Sequence, residues 1–91
     1  MKEYIDGKVW NTDSSLLLKY VVDIEELGEG YIRYTVRSVM QRPREKDYFV
    51  YVSKVTTDKR GGIFDRSEYI VPVDEGYVKI FRRGAPDIWP E

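Results

Sequence analysis

From Leu16 to Ile24 every second residue is apolar: Leu16, Leu18, Tyr20, Val22 and Ile24 fall on one side, with Leu17, Lys19, Val21 and Asp23 on the other. A period of two is the signature of a half-buried strand. Residues 31–40 repeat it, with Ile32, Tyr34, Val36 and Met40 opposed by Arg33, Thr35 and Arg37. Residues 48–55 are almost wholly aromatic and β-branched, which makes them the strongest strand by propensity. Both their faces are apolar, so the pattern does not fix which side chains point where. Lys8 to Asn11, after Asp6-Gly7, and Tyr69 to Val73 read as shorter strands. Pro72 donates no ladder hydrogen bond and puts the last of these at an edge or ends it.

Turn chemistry separates these segments. Thr12 to Ser15 is a run of side chains that hydrogen-bond nearby backbone. Glu25 to Gly30 holds two glycines and is expected to reverse the chain. Gln41 to Asp47, around Pro43, and Thr56 to Arg66, around Gly61-Gly62, are expected loops. Residues 74–83 fit a hairpin with Asp-Glu-Gly at its turn, or a helix. The helix is preferred because four end signals agree: Asp74 as N-cap, Glu75 in the first turn, Arg82 and Arg83 in the last, and Gly84 as the stop. Tyr77, Ile80 and Phe81 then form one stripe. Ile88 and Trp89 in the tail are expected to dock on the body. The predicted architecture is one α+β domain over residues 1–91: a four- to five-stranded antiparallel β-meander with a single C-terminal helix packed on one face. That face is expected to be Leu16, Leu18, Tyr20, Val22, Ile32, Tyr34 and Val36.

Composition removes whole classes of chemistry. The chain has no cysteine and no histidine, so disulfides, thiolate catalysis, Cys-ligated zinc and the commonest general base are excluded. No apolar run approaches the ~20 residues of a membrane span, and the acidic start, MKEYIDG, does not resemble an export signal. A soluble cytoplasmic protein is expected, with no membrane partner and no small-molecule substrate or cofactor. Asn and Gln occur once each while 34% of residues are charged, a profile of the hyperthermophile kind. The net charge of −1 is unevenly spread: residues 1–30 hold three basic and seven acidic groups, residues 31–66 nine and four. A basic centre between acidic ends either attracts an anionic partner or is neutralised within the fold.

The segments GKVWNTDSSLLL, KDYFVYV, RGG and EYIVPVDEGYVKIF follow one another in an order that resembles a family of small uncharacterised prokaryotic and phage proteins. Its members open with Lys-Val-Tyr and a Thr-x-Thr-Ala segment. They continue through an aromatic strand and a Gly-Gly loop to Ile-Ile-Pro and an acidic helix. Here Trp10 stands for the tyrosine, Ser14-Ser15 for the Thr-Ala, and Gly76 interrupts the helix. The resemblance implies a small β-sheet with a C-terminal helix and no assigned activity.

Two partners follow from the residues themselves. Lys19, Arg33, Arg37, Tyr51, Lys54, Lys59 and Arg60 are the candidate nucleic-acid contacts, because guanidinium groups neutralise phosphates and exposed rings stack on bases. Against this, Arg33 and Arg37 also stand where Asp23 and Glu25 can pair with them across strands. Leu17, Val21, Val39 and Tyr51 are apolar positions on the supposedly wet side. They are the candidate interface of a homodimer, or of a protein-binding module of the phage inhibitor or adaptor type, unless the tail covers them. Lys59-Arg60-Gly61-Gly62 lacks the rest of a P-loop and reads as a surface turn. Asp6, Asp13, Asp23, Glu25 and Glu26 show no metal-loop spacing, and no Ser-x-x-Lys pair occurs. A metal-dependent nuclease is therefore the remotest reading, and a non-catalytic binding module the expected function.

Overall fold

The computed structural model describes residues 1–84. Strands β1 (Lys2–Ile5) and β2 (Lys8–Asn11) form a hairpin, and β3 (Leu16–Gly28), β4 (Tyr31–Gln41), β5 (Tyr48–Thr57) and β6 (Ile63–Val73) form an antiparallel meander in that order. Helix α1 (Glu75–Arg83) closes the described chain. The α+β meander with one C-terminal helix is thus present, together with a separate two-stranded sheet. Tail residues Ile88 and Trp89 lie outside the described residues.

Asp6 and Gly7 both take positive φ (51° and 77°), the condition for a tight type I′ hairpin turn whose twist suits the flanking strands. Glu29 and Gly30 (55° and 85°) do the same between β3 and β4. Reversal there occupies only these two residues, and β3 runs on through Glu25 and Glu26, which the sequence reading gave to the turn. The predicted loop over Thr56 to Arg66 likewise shrinks to residues 58–62. Asp58 organises it by accepting from the backbone N–H of Arg60 and of Gly62, each at 2.9 Å. Residues 63–68, polar but paired with β5, belong to β6.

Helix α1 has the predicted ends. The Asp74 carboxylate accepts from the Tyr77 amide at 2.8 Å, and Arg82 and Arg83 occupy the last turn. Its buried residues, Val78 and Phe81, pack on Val39, Val50 and Val52, with Leu18, Val21, Tyr69 and Val73 around them. The first hairpin covers the same end of the sheet from the other side: Trp10 packs with Met40, Phe49 and Ile70, and meets the Phe49 ring edge-on at 5.5 Å. Arg42 lies over Trp10 and is tied to Asp47 at 2.7 Å, which Lys8 also reaches at 3.1 Å. These contacts fasten the loop over residues 42–47 to the hairpin.

One expectation is overturned here. The helix does not cover the Tyr20, Val22, Tyr34 and Val36 face; it covers the face that carries Arg33 and Arg37. The cross-strand register puts Val39 and Val50, then Arg37 and Val52, side by side on that face. Strand β5 thus supplies valines to the arginine side, and the helix packs on them. A β-bulge between Leu17 and Lys19 completes the change, because the extra residue reverses the alternation. Leu18 therefore points to the helix while Tyr20, Val22 and Ile24 point away.

Candidate interaction surface

A nine-residue helix is about 14 Å long at 1.5 Å per residue. An eleven-residue strand such as β4 spans about 36 Å. Helix and hairpin therefore cover only one end of the sheet, and among the described residues the other end is bare on both faces. The molecule extends 44 × 27 × 19 Å.

On the helix side the bare end is mainly polar, with Tyr31 and Phe64 at its tip. Arg37 Nη1 lies 2.7 Å from Asp23 Oδ2, and Arg33 Nη1 3.8 Å from Glu25 Oε1. With Thr35 and Lys54 these four line an open trough of about 440 Å³. The Lys54 ammonium sits 5.7 Å from the Tyr69 ring, and that of Lys19 lies 5.4 Å from the Phe81 ring, against the helix. Lys59 and Arg60 lie farther out on the loop beside Tyr31, and the Lys59 stem crosses Gly30, where an added Cβ would collide with Lys59 Cγ. Tyr31 meets Phe64 edge-on at 5.1 Å, and Phe64 is 67% exposed. Of the predicted nucleic-acid contacts, Arg33, Arg37 and Lys54 share the trough, Lys59 and Arg60 stand apart at its end, and Lys19 is drawn to the helix. Tyr51 is on the opposite face, where its hydroxyl donates to Glu68. Burial, helped by this carboxylate, pushes the Tyr51 hydroxyl pKa above the usual tyrosine range.

On the other side the bare end is apolar. Tyr20, Val22 and Ile24 of β3 pair in register with Ser38, Val36 and Tyr34 of β4. Tyr20 is 59% exposed, Val22 46% and Ile24 66%, and Val36 and Tyr34 are half-buried beside them. This strip lies on the outermost strand of the meander. The residues predicted for a dimer interface do not form one surface. Val39 is fully buried and Val21 half-buried under the helix. Tyr51 is half-buried against the hairpin cluster. Leu17 is exposed on the opposite face, level with Met40. Sequence reasoning missed Tyr20, Val22 and Ile24 as surface residues because it assigned them to the helix. The length mismatch between helix and strands was the available signal.

Among the described residues no three acidic side chains come together as a metal site, and no helix is long and apolar enough to cross a membrane. No protein-family model, curated protein or solved structure matches this chain. The functional reading therefore rests on the geometry.

Proposed function

We propose that this chain is a non-catalytic binding module that works as a homodimer, docking through the bare apolar end of its sheet. The observation that carries this reading is the exposed strip of Tyr20, Val22 and Ile24 on an outer strand that nothing covers among the described residues. Apolar side chains that share one open face mark an interaction surface more often than a solvated one. The rival nucleic-acid surface is weaker support: its two central arginines face Asp23 and Glu25, so an incoming phosphate competes with carboxylates already in place.

Light scattering tests the proposal. The expected mass is twice the 10.8 kDa of one chain, falling to the single-chain value for Val22→Asp and for Ile24→Lys while circular dichroism stays that of the folded protein. A wild type that remains a monomer at high concentration overturns it. Single-stranded DNA or RNA at low salt is expected not to retain the protein. Retention that falls steeply with salt and is lost in Arg33→Ala/Arg37→Ala returns the function to the arginine face.

A further inference from the structure

The four-stranded sheet ends in two very different edges. β6 carries Pro72, and after Ile63 and Phe64 it runs through the polar stretch Asp65, Arg66, Ser67 and Glu68. Proline and charge are the usual guards against a strand docking there. β3 has no proline and is exposed along most of its length, and among the described residues its outer side meets no other strand. Its charges Lys19, Asp23 and Glu25 lie on the helix side, and Tyr20, Val22 and Ile24 on the other, where Glu26 follows them at the end of the regular stretch. An edge of this kind offers unpaired backbone N–H and C=O groups to another strand.

We infer that two copies join β3 to β3, antiparallel, about a two-fold axis at Val22, merging their meanders into one continuous sheet. The inference rests on the homodimeric reading above and specifies its geometry. Bulges between Leu17 and Lys19 and between Glu26 and Gly28 leave residues 19–26 as the regular stretch of β3. Facing residues of an antiparallel pair must lie on the same side of the sheet, so the axis passes through a residue rather than between two. An axis at Asp23 sets that carboxylate against its own copy and Tyr20 against Glu26. An axis at Val21 pairs only residues 19–23. An axis at Val22 pairs residues 19–25. Lys19 then faces Glu25 of the partner subunit, twice by symmetry, Tyr20 faces Ile24 of the partner subunit, and Val22 faces itself. Opposite charges and apolar pairs directly across the strands favour this register over its neighbours.

Charge exchange tests it. Lys19→Glu and Glu25→Lys, each alone, place like charges opposite one another at both symmetric positions. Sedimentation velocity is expected to show each associating roughly tenfold more weakly than the wild type. Mixed in equal amounts they restore the dimer, because Glu at 19 of one chain then faces Lys at 25 of the other, and the reciprocal pair is Lys facing Glu. The double variant Lys19→Glu/Glu25→Lys dimerises with itself at wild-type strength and does not mix with the wild type, so the test stays decisive if a single variant folds poorly. A wild-type dimer that both single variants leave intact, or a double variant that mixes freely with the wild type, overturns the β3 pairing while self-association stands. A wild type that is a monomer, including one that captures a strand from another protein, overturns both.

Discussion

Single side chains already separate what holds this fold from what it leaves available. Phe81 is fully buried against Val39, Val50 and Val52, so Phe81→Ala is expected to cost about 3–5 kcal/mol in urea unfolding. Its neighbour Tyr77 behaves differently. The Tyr77 hydroxyl is buried without a hydrogen-bond partner among the described residues, and that burial pushes its pKa above the usual tyrosine range. Tyr77→Phe keeps the ring and removes the unsatisfied group, and is expected to leave stability unchanged or raise it by up to about 1 kcal/mol. Asp47 gives a pH signature. The Lys8 ammonium that donates to it, helped by Arg42 and opposed by partial burial, holds its carboxyl below the usual carboxylate range. A lowered folded pKa contributes stability above the unfolded value of about 4, and that contribution is lost as the pH falls through the folded value. The stability gap between wild type and Asp47→Asn is therefore expected above about pH 4, to be about 1 kcal/mol or less because the pair is partly exposed, and to close in more acid solution. Denaturant midpoints measured across that range check it.

Among the elements, those with local signals were legible. Four end signals placed α1, and the Asp74 cap bond bears out the first of them; Asp74→Ala is expected to cost about 1 kcal/mol of thermal or chemical stability. Strands β3 and β4 were announced by the period-two pattern and β5 by its propensity, and Asp6-Gly7 makes the turn that precedes β2. What was not legible lies in non-local pairing. Residues 63–68 are too polar to announce a strand, and they become one because β5 supplies a partner along their length. The bulge at Leu17–Lys19 sits in three consecutive leucines, where either phase of alternation looks equally apolar. That one extra residue moved Leu18 beneath the helix and parted Leu17 from Val21, while the β4–β5 register, which sets Tyr51 beside Ser38 and Val50 beside Val39, put Tyr51 and Val39 on opposite faces. The pairing of Arg33 and Arg37 with Glu25 and Asp23, by contrast, was readable from strand order alone, as one of two alternatives.

Taken whole, the molecule is a sheet longer than the pieces that cover it. One short helix and one short hairpin close the end built on Phe49, Val50 and Trp10, and among the described residues the far end stays open, mainly charged on one side and apolar on the other. Charge pairing satisfies the first side within the chain, whereas among the described residues nothing covers the second, and a second copy meeting it along β3 packs Tyr20, Val22 and Ile24 laterally against their counterparts. Amide hydrogen exchange as a function of protein concentration examines this most directly. The account predicts that, with rising concentration, protection increases at the amides of residues 19–25 that point away from β4, with β6 and the trough around Arg33 and Arg37 unchanged. Exchange along β3 that is the same at every concentration, or protection gained at β6 or the arginine trough instead, would contradict it.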